Sequence, residues 1–153
     1  MKIKEATDIN SRALNEVLSS ATKTLRETYR PSQKAIQNKE KTRDEFNRLI
    51  AESDNQIIGT VEYKTKDKRL HFMGLAVKET YRRRGVSRAL INELIEIAKS
   101  KNQNVISLHT IKETGNVEIF NKLGFVSVRE EIDKYSISDK FDELHDVYME
   151  LYL

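Results

Sequence analysis

Apolar positions along this chain follow two rhythms, a period of two that marks strands and a period of about 3.6 that marks helices. Lys2 to Ala6 alternates polar and apolar and predicts a short strand, after which Thr7 or Asp8 offers an N-cap. Ala13, Leu14, Val17, Leu18, Ala21 and Leu25 recur at steps of three and four, the stripe of a helix that packs on a sheet. Pro31, the only proline, interrupts that helix, because its ring pushes Arg30 out of the helical region. From Gln33 to Glu45 the pattern is polar, with Lys34, Lys39, Lys41 and Arg43 mixed among Glu40, Asp44 and Glu45. This predicts a solvated helix or loop.

Phe46, Leu49 and Ile50 fit a helix by spacing, and periodicity alone does not decide the matter. The order of the surrounding elements favours a strand over about Asn47 to Glu52, turning at Asp54-Asn55 into a second strand, Gln56 to Lys64. A third strand, Arg69 to Val77, follows the Lys66-Asp67-Lys68 turn. A helix from Val86 to about Lys99 puts Ala89, Leu90, Leu94, Ile97 and Ala98 on its buried side, and Asn104 to His109 reads as a strand behind it. A short helix from Asn116 to Leu123 is stopped by Gly124 in the C′ position, where a left-handed residue is favoured. Phe125 to Glu131 and Val147 to Tyr152 form a last strand pair around a polar excursion. The result is a mixed α/β order without internal repeats.

Composition narrows the function classes. At 153 residues the chain reads as one domain, 1–153, long enough to bury a real core. Hydrophobic content of 38% beside 33% charged residues predicts a soluble globular protein. The net charge of +3 is only 27 basic against 24 acidic residues, so neither a nucleic-acid nor a membrane partner is implied. The absence of cysteine excludes disulfides, thiolate catalysis and thiolate metal sites, and no metal is expected. Met1-Lys2-Ile3-Lys4 begins no apolar targeting run and no stretch of 18 apolar residues occurs, so a cytoplasmic location is expected.

One stretch carries chemistry. Leu75-Ala76-Val77 ends a strand, Lys78 to Arg84 is a charged turn closing on three arginines, and Gly85 leads into the helix with Val86, Ser87 and Arg88. Helix-start N–H groups lack intrahelical partners and sit at the positive end of the macrodipole, which suits phosphate. Gly85 permits close approach, and the arginines add fixed charge. Neither common glycine-rich phosphate loop is present, because the Gly-x-Gly-x-x-Gly and Gly-x-x-x-x-Gly-Lys-Ser/Thr spacings are both absent.

Arg82-Arg83-Arg84-Gly85-Val86-Ser87 resembles the acetyl-CoA motif Arg/Gln-x-x-Gly-x-Gly/Ala of the GNAT superfamily of N-acetyltransferases, with Ser87 replacing the last small residue. Ile119-Phe120-Asn121-Lys122-Leu123-Gly124-Phe125 resembles that family's closing helix. The resemblance implies the GNAT fold, a central, mostly antiparallel sheet of six or seven strands splayed between the fourth and fifth and flanked by about four helices. It implies acetyl-CoA as cosubstrate, with Leu75, Ala76 and Val77 along the pantetheine and amides from Arg83 to Arg88 on the pyrophosphate. An N–H near Val77 would stabilise the oxyanion while an amine of a small molecule or peptide attacks directly. The polar run Gln33 to Glu45 would form one wall of the acceptor site.

The chain departs from that family at the two proton steps. Gly74 and Met73 stand where many relatives carry a glutamate, which leaves Glu62, His71 and His109 as general-base candidates. His109, at a strand end beside the expected opening, is preferred, then Glu62. His71, placed by alternation on the side of Met73 and Leu75 and near an exposed turn, reads as inert. The alternative for His109 is a structural hydrogen bond at the strand end. Phe120 occupies the place of the tyrosine that protonates the leaving thiolate. Tyr148, Tyr135 or water could substitute, and a thiol of pKa near 8.5 can also leave unprotonated. Glu113 holds the usual position of a cofactor asparagine, with Asn116 and Asn121 nearby. The departures keep open a second class, a degenerate acyl-CoA-binding sensor or interaction domain. A nucleic-acid module on Arg82, Arg83, Arg84 and Arg88 lacks a stacking platform. Glu62, Asp133, Asp139 and Asp142 could attract a cationic acceptor, and the terminal strand Val147–Tyr152 could pair across an edge to make a homodimer.

Overall fold

The computed structural model describes residues 1–6, 11–42 and 46–153, and the side chains of all of these except 39–42. Its elements run β1 (Lys2–Glu5), α1 (Arg12–Arg26), β2 (Arg30–Pro31), α2 (Gln33–Thr42), β3 (Asn47–Ser53), β4 (Gln56–Lys66) and β5 (Arg69–Val77). They continue with α3 (Val86–Ser100), β6 (Val105–Ile111), α4 (Asn116–Lys122), β7 (Val126–Ile132), β8 (Ser136–Ile137) and β9 (His145–Tyr152). Seven strands form one sheet in the order β1-β3-β4-β5-β6-β9-β7, antiparallel except where β5 meets β6, while β2 and β8 form a small separate pair.

Local chemistry sets most of these bounds. Asp54 and Asn55 (φ 52° and 61°) and Asp67 and Lys68 (φ 52° and 66°) all adopt left-handed backbone, the geometry of the two-residue hairpin turns that join β3 to β4 and β4 to β5. This makes Asn47–Ser53 a strand, not a helix. Ser11 caps α1, its Oγ accepting the Leu14 N–H at 3.2 Å; the Thr7 and Asp8 cap candidates lie outside the described residues. Pro31 does not end α1, which stops at Arg26; the proline lies instead in β2. Gln33–Thr42 resolves the polar run as helix, and Arg43 to Glu45 lie outside the described residues.

The main core lies between the sheet and α3, with Leu49, Val61, Leu70, Phe72, Ile106 and Met149 from the strands meeting the helix. The buried stripe of α3 is Val86, Leu90, Ile91, Leu94 and Ala98; Ile91 joins it, and Ala89 and Ile97 stay half-buried. α1 covers β4 and β5 from the other face, burying Leu14 and Val17 outside that cluster. Helices on both faces bury the central strands, which read accordingly as apolar runs.

Two features of the sheet position the site. The parallel β5–β6 ladder is only three residues long, Arg69 with Val105, Leu70 with Ile106 and His71 with Ser107. Beyond it the strands diverge, so Phe72 to Val77 and Leu108 to Ile111 face each other without a ladder. The second feature corrects an expectation. The terminal strand is not an edge, because β9 lies between β6 and β7, and β7 forms that margin of the sheet. Among the described residues no helix is long and apolar enough to cross a membrane.

Candidate active site

The opening between β5 and β6 starts at a bulge. Thr60 pairs with Ala76 and Glu62 with Met73, so Gly74 and Leu75 together oppose Val61. Gly74 takes φ +64°, a conformation that only glycine adopts without strain. The bulge breaks the alternation read from the sequence: Met73 shares the side of His71, as read, but Leu75, beyond the bulge, turns to pack against the main core. A cavity of about 300 Å³ fills the gap, bounded by Met73, Gly74 and Leu75 on β5, by Leu108 and His109 on β6 and by Asn116 and Phe120 on α4.

A second groove of about 320 Å³ continues along α4. Val77, Arg82, Arg83, Gly85, Val86, Ser87 and Arg88 line one side of it, and Ile119, Lys122 and Leu123 the other. Gly85 is the N-cap of α3 at φ +80°, and the space a Cβ would take there is open. Having no side chain, Gly85 cannot satisfy the first amides of α3, so these stay available to an anion beside Arg82, Arg83, Arg88 and Lys122. Arg82 Nε also donates to the Val77 carbonyl at 3.4 Å, which ties the loop to the end of β5. Arg84 does not line the groove but stacks over Tyr81, 5.2 Å from its ring centre, and Ala76 lines neither space.

Of the three base candidates, His109 and His71 are neighbours and Glu62 stands apart. His109 is two residues short of the end of β6, and 44% of its side chain is exposed. Its Nδ1 lies 2.7 Å from Oδ2 of Asp146 on β9. A carboxylate only accepts, so Nδ1 carries the hydrogen and Nε2 keeps its lone pair in the neutral ring. Both His109 and Asp146 line the cavity. Glu62 is ion-paired with Arg48, and its Oε2 is 3.9 Å from the place a Cβ on Gly74 would occupy.

His71 is not at an exposed turn. Its ring is half-buried, Nδ1 is 2.8 Å from the buried Ser107 Oγ, and it meets the His109 ring edge-on at 5.4 Å between centres. Burial, with smaller contributions from His109, Lys64 and Arg69, lowers its pKa from 6.5 to about 4. The folded state therefore holds this ring neutral in a window where the unfolded chain protonates it, so stability falls as the pH is lowered from 6.5 towards 4. The expected loss is on the order of 1–3 kcal/mol. Urea midpoints at pH 7 and pH 4.5 should show it in the wild type and show less of it in His71→Gln.

The remaining candidates separate cleanly. Tyr148 is buried with its hydroxyl on Glu150 at 2.9 Å, and burial raises its pKa. Tyr135 is exposed beside Lys34. Neither lines the cavity. Glu113 accepts from the His145 backbone at 2.5 Å and lies 3.1 Å from its Nδ1, a structural tie, and Asn116 takes the place at the cavity. Asp139 pairs with Arg30 and Asp133 accepts from the Tyr135 N–H; Asp142 is exposed. Sequence reading missed Asp146, which is 37 residues from its histidine, and Tyr29, which reaches the cavity from just beyond α1. No local signal marked either of them.

Solved structures of similar architecture include a ribosomal-protein-alanine N-acetyltransferase from Brucella melitensis (20% identity over all of both chains, TM-score 0.75). An IAA acetyltransferase from Bacillus cereus is 16% identical over 99% of each chain, with a TM-score of 0.74. A GNAT family acetyltransferase from Elizabethkingia anophelis with acetyl-CoA bound is 18% identical over 99% of this chain and 97% of that one, with a TM-score of 0.73. No curated protein matches the sequence. The family model for "Acetyltransferase (GNAT) family" matches residues 13–125, from α1 through the Gly124-Phe125 close of α4. That span holds the bulged strand, the arginine loop and the short α4, and with it the chain belongs to the GNAT family of acetyltransferases.

Proposed function

We propose that this protein is an acetyl-CoA-dependent N-acetyltransferase that delivers the acetyl group to a primary amine of a small molecule or peptide by direct attack in a ternary complex. The observation that carries the reading is the meeting of two built spaces along β5 and α4: an arginine- and amide-lined groove, and a cavity into which the His109–Asp146 pair faces. The first amides of α3 with Arg82, Arg83 and Arg88 suit a pyrophosphate. Backbone groups of β5 beyond His71, which have no β6 partner, suit an extended pantetheine and the developing oxyanion. Asp146 orients His109, whose Nε2 takes the proton the acceptor ammonium must lose. Glu62, occupied by Arg48, is the second choice for that role.

The test is a thermal melt with and without acetyl-CoA, with ATP and adenosine bisphosphate as phosphate controls. At a hundred times its dissociation constant acetyl-CoA should add about 2.7 kcal/mol and raise Tm by several degrees, well beyond the controls. No shift would remove the cofactor assignment. A second reading is a catalytically degenerate acyl-CoA-binding domain, favoured by Phe120 at the place of the proton donor. A Tm shift without thiol release for any amine in a broad panel would select it.

A further inference from the structure

We infer that Tyr29 is the proton donor to the departing thiolate, acting from the wall of the cavity that faces α4; this rests on the transferase reading above. Phe120 leaves α4 without an acid, so the question is which hydroxyl reaches the same space. The chain has six tyrosines. Tyr63 donates to Glu5, Tyr81 to Asp54 at 3.2 Å, and Tyr148 and Tyr152 both to Glu150 at 2.9 Å, while Tyr135 stands exposed. Only Tyr29 lines the cavity together with Phe120 and His109. Among the described residues its hydroxyl makes no hydrogen bond, and it is not sealed off inside the protein.

The placement fits the task. Tyr29, Phe120 and His109 line one cavity of about 300 Å³, at the small end for a ligand site. Burial, opposed in part by Arg26 and aided by Asp133, raises the phenol pKa, so the acid stays protonated at neutral pH. The segment is also held in place. The Tyr29 N–H bonds Leu25 O at 3.0 Å, Ser138 Oγ donates to Thr28 O at 2.5 Å, and Arg30 and Pro31 pair with Ile137 and Ser136. In the reaction the C–N bond forms as the C–S bond breaks. His109 accepts the amine proton, Tyr29 gives its proton to sulfur, and water restores the phenol.

The experiment compares wild type, Tyr29→Phe and Tyr29→Phe/Phe120→Tyr. It follows thiol release from acetyl-CoA with the best acceptor from a panel of alkylamines, arylalkylamines and dipeptides. Tyr29→Phe should lower kcat about 10- to 100-fold, at or below the usual range for a lost acid, with KM for acetyl-CoA and for the amine unchanged. The Phe120→Tyr replacement should then recover at least about tenfold, by supplying the acid from the opposite wall. Wild-type kcat in Tyr29→Phe overturns the assignment. So does a loss that appears only as a raised amine KM and is not recovered in the double variant, which would make Tyr29 an acceptor contact. A wild type that binds acetyl-CoA in the melt but releases no thiol with any amine overturns the transferase reading itself, and that failure is visible before any variant is made.

Discussion

Replacing His109 by alanine is expected to lower kcat by about two to four orders of magnitude, the usual contribution of a positioned general base. The ring is half-exposed, with one side packed on His71 and Tyr148, so Tm should fall by only a few degrees from wild type. KM for acetyl-CoA should also hold, because the arginine loop and the first turn of α3 lie in the neighbouring groove. Asp146→Asn is the companion variant. An amide can present a donor to Nδ1 and turn the ring to the other tautomer, which removes the lone pair from Nε2, so it should lose most of what His109→Ala loses. A His109→Ala enzyme within threefold of wild type would exclude the residue as base and move the test to Glu62→Gln.

The second large effect is on stability. Phe72→Ala should cost about 3–5 kcal/mol, a substantial part of the 5–15 kcal/mol that holds a typical domain together. Phe72 is 2% exposed and sits in a three-ring cluster, 6.1 Å from Phe120 and 5.8 Å from Phe125 between ring centres, with 6.0 Å between the other two. The edge-to-face and tilted packing adds to the area each ring buries. Removing Phe72 leaves a void that Phe120, fixed on α4, and Phe125, tied to Phe120 by a backbone hydrogen bond, can close only in part. Denaturant unfolding measures this directly; a change in midpoint equivalent to less than 1 kcal/mol would mean that the rings are not closely packed.

What the sequence disclosed, and what it withheld, follows the range of the interactions. Turns and loops are local: Asp54-Asn55, Lys66-Asp67-Lys68, the Arg82–Ser87 run and Gly124 announce themselves within a few residues, and strand and helix bounds near them agree with the structure to within a residue or two. Phe46 to Glu52 was ambiguous by periodicity and became a strand through its hairpin partner. The bulge was not legible, because nothing around Gly74 distinguishes a bulge from plain alternation, and missing it shifted Leu75 to the wrong side; His71 looked idle because its distance from the Lys66-Asp67-Lys68 turn was legible and its burial against Ser107 and His109 was not. The inward position of β9 and the His109–Asp146 contact depend on which strands become neighbours, information that no window of sequence holds. Tyr29 was hidden in the same way, since it reaches the cavity through the packing of α1 on β4 and β5, a contact between distant parts of the chain.

The three-residue β5–β6 ladder has a consequence for how this protein can change. The sheet consists of two leaves, β1-β3-β4-β5 and β6-β9-β7, bound at one end like the covers of a book. Past the spine, among the described residues, no ladder hydrogen bond joins the two covers. The rings of Phe72, Phe120 and Phe125 pack together behind the opening. Side-chain size in that cluster is thus expected to bear on the width of the opening, and a substitution that never touches a ligand can decide which ligands fit between the leaves.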